Sequence, residues 1–363
     1  MNKIERFVYN LVRSNPLLKN KVRNLYQTIF DMAPFPSPKF SYPIVDRPGY
    51  FYGFHDHSPF SGDNSMLLAN HAPFDLRMPT LDDKLTVGFF DGDNHKTFNK
   101  LAETSAWSWH IGCKLQWVGN SSEVIFNDHS DGCNIARVID VVTRQERVLS
   151  ASIGSVSPNG SWAVGYSFAR VEQCMPGYGY KQSVRETDLD DLEPSMTGLY
   201  RVDIATGIKT DILTIHKLAS TSPLSSMKNA RHYVTHTIIA PDSNQFIFLH
   251  RWINPKGPVE ERFSRLVVAD FEGNILDVFK TEEMVSHISW KDSEHVLAYC
   301  RVPDFDDKFV LFKVGSPESF AIIGEKTLTS DGHPSYDSLN RWVVTDSYPD
   351  RRRIQNLILF DTL

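Results

Sequence analysis

A chain of 363 residues with 41% hydrophobic and 23% charged side chains has ample material for a buried core, and its formal charge of −6 argues against a dedicated nucleic-acid binder. No run of about 18 apolar residues occurs, and the N-terminus lacks the apolar stretch and small-residue cleavage site of a secretory signal, so neither membrane spanning nor secretion is expected. The four cysteines, Cys113, Cys133, Cys174 and Cys300, show no CxxC or other paired spacing. Reduced, packed thiols and a cytoplasmic location follow.

Residues 1–30 carry Lys3, Arg6, Arg13, Lys19, Lys21 and Arg23 against Glu5 alone, with Ile4, Phe7, Val8, Leu11 and Val12 at helical spacing. This reads as a basic amphipathic helical extension over residues 1–33, docked on the main domain or in contact with a membrane surface or partner protein. Residues 34–49 open with Pro34-Phe-Pro-Ser-Pro38, an extended linker. From residue 50 to 363, short strand-like runs separated by turn residues take over, and helices are nearly absent.

One plan recurs. An apolar run over 233–240 breaks at Pro241-Asp-Ser-Asn, restarts over 245–252 and continues with strands near 264–270 and 275–279. Copies begin near residues 50, 113, 153, 286 and 332, and His236, His287 and His333 stand 51 and 46 residues apart. Four strands at that period define an all-β fold, a β-propeller of six countable blades, or seven if another lies in the roughly 80 residues between the third and fourth inner strands. The last repeat shows three strands, so residues 40–45 are expected to supply its fourth and close the ring.

In such a ring the first strand of each blade lines the central channel, and the long connections gather on one face. The polar strand ends fall on that face: His55 and His57, His236, His287 and His333 at first strands, and Arg170, His250, Arg251 and Arg301 at the ends of second strands. Imidazoles bind divalent metals or move protons near neutral pH, and guanidinium groups fix carboxylates. Together they suit an anionic sugar. In β-elimination of a uronate a cation neutralises the carboxylate while a base takes the proton beside it. The tract from Arg170 to Lys181, with Tyr178 and Tyr180, could cover the site and stack on sugar rings. No GxSxG, Walker A, GxGxxG or HExxH occurs.

The segments His250-Arg-Trp252, Ser286-His-Ile-Ser-Trp290 and Asp331-Gly-His-Pro-Ser335 resemble those of the oligogalacturonate lyase group of propeller proteins, over about residues 45 to 363. The resemblance implies a cytoplasmic lyase that cleaves acidic, uronate-containing oligosaccharides by metal-assisted β-elimination. It makes His236 the base; the polar strand ends and the covering tract themselves point to Arg251 as its catalytic partner and to His55, His57, Arg170, Tyr180, His250 and Arg301 as substrate contacts. It also makes His287 and His333 ligands of a divalent Mn or Zn. The group's further histidine and glutamine ligands are missing around His333, and Asp331 is the candidate replacement. The competing expectation is a noncatalytic glycan-binding or scaffolding propeller in polysaccharide assembly, attached through residues 1–30.

Overall fold

The structure is a computed structural model that describes residues 21, 22, 24, 25, 28, 40, 43–181, 186–257, 261–350 and 352–363. Six antiparallel sheets follow one another along the chain, each hydrogen-bonded in chain order. Blade 1 holds β1 (Tyr50–Phe51), β2 (Leu67–His71), β3 (Leu85–Asp91) and β4 (Thr97–Thr104), and blade 2 holds β5 (Gln116–Trp117), β6 (Glu123–Ser130), β7 (Cys133–Asp140) and β8 (Glu146–Leu149). Blade 3 is β9 (Ser155–Val156), β10 (Trp162–Gly165), β11 (Gly198–Asp203) and β12 (Lys209–Thr214). Blade 4 is β13 (Arg231–Ile239), β14 (Gln245–Ile253), β15 (Arg262–Asp270) and β16 (Ile275–Val278), and blade 5 is β17 (Val285–Trp290), β18 (His295–Val302), β19 (Phe305–Lys313) and β20 (Ser316–Ile322). Blade 6 shows three strands among the described residues, β21 (Ser335–Tyr336), β22 (Trp342–Asp346) and β23 (Leu357–Asp361). The expected propeller is therefore six-bladed, and the stretch between β12 and β13 contains a short helix and a 3-10 turn in place of a seventh blade.

The continuous apolar runs of the second strands follow from burial on both faces. Phe246, Ile247, Phe248 and Leu249 of β14 are all fully buried, but they feed different cores. Phe246 and Phe248 pack toward blade 3, whereas Ile247 and Leu249 pack with Ile288, Val296 and Ala298 of blade 5. Strand β18 repeats this, with Val296, Ala298 and Cys300 on one side and Leu297 and Tyr299 on the other. Each such side chain contributes about 1.5–3 kcal/mol on burial, so the blades hold one another rather than standing alone.

On the face where β17 turns into β18, and at its counterparts in blades 2, 3, 4 and 6, the hairpins are short and self-capped. The Asp292 carboxylate accepts from the backbone N–H of Glu294 and His295, and Asp337 accepts from those of Arg341 and Trp342. These are the turn residues read from the sequence doing what a short acceptor side chain does.

Closure joins blade 6 to blade 1 at the inner strands. The His55 ring donates from Nδ1 to the Pro334 carbonyl at 2.9 Å, and the Ser335 hydroxyl donates to the His55 carbonyl at 3.0 Å. Residues 41 and 42 of the expected closing strand lie outside the described residues; Phe40 and residues 43–47 form no strand and are largely exposed. Arg47 instead donates to the carbonyls of Asn94 and His95 in blade 1. Most of the expected N-terminal helix also lies outside the described residues, of which Lys21, Val22, Asn24, Leu25 and Thr28 are helical.

Two short helices depart from the near-absence of helix expected after residue 40. The first, α1 (Phe168–Cys174), is capped by Ser167, whose hydroxyl accepts from the Arg170 N–H, and the second, α2 (Ile215–Ser220), is capped by Thr214. No described helix is long and apolar enough to cross a membrane. Cys113, Cys174 and Cys300 are buried free thiols and Cys133 an exposed one.

A buried polar chain ties blade 4 to α2. Arg265 Nε donates to His250 Nδ1 at 3.1 Å, so His250 carries its proton on Nε2 and gives it to His232 Nδ1 at 2.9 Å. His232 in turn donates from Nε2 to the Met227 carbonyl at 3.3 Å. Both rings must be neutral for this order to hold, and burial lowers His232 to about 4 and His250 well below the ordinary histidine value. A histidine depressed in the folded state contributes stability that is complete above its unfolded value near 6.5 and is lost as pH falls below it. Thermal melts are therefore expected to lose stability steadily between about pH 6.5 and 4, by up to about 3 kcal/mol from His232, and His232→Gln should make that slope shallower by this share while the other depressed histidines keep the rest.

Candidate functional site

Three imidazoles are brought to the channel by irregularities that sequence periodicity does not show. In β13 the register passes from Thr235 opposite Leu249 to Ile238 opposite Ile247, so His236 and Thr237 together face one residue, and His236 has φ of +58°. In β17 it passes from Val285 opposite Cys300 to Ile288 opposite Ala298, placing His287 in the equivalent bulge. A bulge re-aims the side chain it carries. His333 stands just before β21, where its backbone N–H donates to Asp346 at 2.7 Å. The turn needs Gly332, since a Cβ there would meet the Asp346 carbonyl oxygen at 2.0 Å.

The rings gather around Phe54. The His287 and His333 centroids are 4.1 Å apart, and His55 stands 5.7 and 5.3 Å from them. Phe54 lies 4.9 Å from His236, 5.9 Å from His287 and 5.6 Å from His333. Separate blades thus deliver four histidines to one opening, as the repeat pattern led us to expect.

All four rings are tethered through Nδ1. His287 donates to Asp331 Oδ1 at 2.9 Å, His333 to Asp346 at 2.8 Å and His55 to the Pro334 carbonyl. Those acceptors assign the proton to Nδ1 and leave a lone pair on each Nε2. His236 differs. Its Nδ1 is 2.6 Å from the Thr235 hydroxyl, which already accepts from Arg251 Nε at 3.1 Å. In the tautomer that continues this chain, the hydroxyl proton goes to His236 Nδ1 and the ring carries its own N–H on Nε2. Burial lowers His236 well below the ordinary value, with Arg251 adding repulsion. Burial also lowers His287, opposed by its bond to Asp331, and brings His55 down to about 3. These three rings are neutral at pH 7.

Arg251 reaches from β14 to the Ser286 carbonyl, joining blades 4 and 5 beside the cluster. Tyr348, about half exposed, stands 6.2 and 5.9 Å from His287 and His333. Tyr178 stacks on His110 at 3.9 Å with the rings nearly parallel. Phe54, His110 and Tyr348 were not singled out from the sequence, because none stands at a repeated place in the blades.

Several expected contacts are corrected. Arg170 is buried on α1, with its donors directed at the carbonyls of His232, Asp188, Leu189, Asp191 and Leu192, so it clamps the loop before β11. Tyr180 is buried, stacked on Phe168 and bonded to Asn127, which leaves no face for a sugar. His250 belongs to the Arg265 chain. Arg301 pairs with Asp307 on the surface. His57 lies toward the short-turn side, 3.6 Å from Asp56, whose carboxylate is paired with the buried Lys114 ammonium.

The ligand set implied by the resemblance, His287 and His333 with Asp331, is not assembled in this arrangement. Asp331 stands behind His287: Oδ1 accepts from His287 and the Gly332 N–H, and Oδ2 accepts from Ser286. Among the described residues no three His, Cys, Asp or Glu side chains are arranged to hold a metal ion.

The class this defines is a six-bladed β-propeller with a tethered histidine cluster at its centre. No protein-family model matches the chain, and no curated protein matches it. Solved structures similar to it include TolB from Acinetobacter baumannii (14% identity, TM-score 0.43, covering 81% of this chain and 63% of that one). They also include the oligogalacturonate lyase of Vibrio parahaemolyticus (11%, 0.40, 86% and 90%) and the hydrazine synthase of Kuenenia stuttgartiensis (10%, 0.47, 84% and 82%). TolB and the lyase are, like this chain, β-propeller proteins, and at these identities the likeness is one of fold alone.

The carboxylate behind His287 favours its imidazolium form. Asp331→Asn is expected to move the His287 titration to lower pH, read from imidazole NMR signals in chelator-treated protein, while the melting temperature of the ring changes little.

Proposed function

We propose that the protein is a lyase-like enzyme that cleaves a uronate-containing, acidic oligosaccharide by β-elimination in the cytoplasm, using its histidine cluster without a metal step. The observation that carries this is the split in ring roles around Phe54: lone pairs on His287 and His333, each backed by a carboxylate, opposite an N–H on His236 beside Arg251. Arg251 and His236 hold the uronate carboxylate and stabilise the negative charge that develops on it. His333, the more exposed of the two carboxylate-backed rings, removes the proton from the carbon bearing that carboxylate. The electron pair released from this C–H bond forms the carbon–carbon double bond, the glycosidic C–O bond breaks, and the leaving oxygen receives a proton from the site. The base role moves here from His236 to His333 because of the proton order that Thr235 sets.

Purified protein incubated with a panel of uronate oligosaccharides should develop the ultraviolet absorbance of an unsaturated uronate, undiminished by chelator. His333→Ala should lower the rate by about 10² or more, and Arg251→Lys should raise KM more than it lowers kcat. Silence across the panel sinks the enzyme reading and leaves a glycan-binding propeller; chelator-sensitive activity returns the Mn or Zn centre on His287 and His333.

A further inference from the structure

The channel has a second chamber on its other side. Phe54 and His55 form a partition, and beyond it toward the short hairpins lies a cavity of about 710 Å³, reached between turns that carry Pro59, Pro158 and Pro241. That volume is within the range of small-molecule sites. Its walls differ from the histidine mouth. Tyr52, Phe54 and Trp290 give it aromatic surface, and Ile238 and Ile288 add aliphatic surface. Its one carboxylate, Asp56, is matched by the Lys114 ammonium, so no unpaired ionic charge faces a ligand.

Two observations point to an occupant. His55 and His57 both line the chamber, and each has a buried Nε2 without a hydrogen-bond partner. Buried polar atoms are nearly always paired, so these two call for a group that can give or accept a hydrogen bond. Their position on a wall rich in aromatic rings narrows the chemistry. A hydroxylated ring offers apolar C–H faces to the aromatics and hydroxyl groups to the imidazoles, whereas the Asp56–Lys114 pair leaves no free cation to hold an anion.

We propose that this chamber is a binding site for one uncharged hexopyranose unit, separate from the histidine mouth and sharing only the Phe54–His55 partition with it. The site stands whether or not the mouth acts as a lyase.

The test uses the full chain and the methyl glycosides of D-glucose, D-galactose and D-mannose, with methyl galacturonide as the charged comparison. Saturation-transfer NMR and tryptophan fluorescence report binding, and circular dichroism and melting temperature report folding. Binding of at least one neutral glycoside is expected, with methyl galacturonide about tenfold weaker or worse. Ser289→Leu, which fills the chamber from β17, and His57→Gln, which removes an unpaired ring nitrogen, should each weaken that binding about tenfold or more. If Ser289→Leu does not fold, His57→Gln decides. The proposal is overturned if no neutral glycoside binds, if the uronide binds as well, or if the folded variants bind like the parent chain. Product formation from uronates is scored separately, so the two readings fail independently.

Discussion

Each blade leaves two apolar faces that only its two neighbours can cover. Alternate residues of β14 and β18 enter different inter-blade cores, so no sheet here is finished until both flanking sheets are in place. That requirement bends the row of sheets into a ring. The ring in turn forces the first strands together at the centre, and everything chemical about the molecule follows from where those strands begin.

Convergence alone would give a bundle of disordered imidazoles. What makes the cluster specific is a second layer of hydrogen-bonding groups: Asp331, Asp346 and the Pro334 carbonyl each accept from one Nδ1, the Thr235 hydroxyl donates to another, and so they decide which ring presents a lone pair and which an N–H. Two of the four tethers cross blade boundaries, His287 to Asp331 and His55 to Pro334. Closure of the ring and the protonation pattern of the site are therefore one structural event.

The polar residues that do not reach the centre show the same economy from the other side. Arg170 looks, in sequence, like an anion binder next to a channel, and Arg265 of β15 meets the same constraint as Arg170 does. Each is buried, and a buried guanidinium must place its donors on carbonyls nearby, so both act as clamps on irregular segments that flank the blades. His250 is drawn into the Arg265 chain for that reason. Tyr180 follows a parallel course, its ring buried against Phe168 and its hydroxyl held by Asn127.

The sequence by itself determined the blades, their hairpins and the face on which polar groups collect, because strand period, Pro and Asp turn chemistry and repeat spacing are local properties. It also placed His55, His236, His287 and His333 at equivalent ends of inner strands. Tertiary structure alone decided the rest: that β13 and β17 bulge at their histidines, that Asp331 stands behind a ring instead of beside a metal, and that His250 faces Arg265. Those outcomes depend on which atoms of distant blades become neighbours and on which buried donors must find acceptors there. Neither is encoded in the order of residues along a single strand.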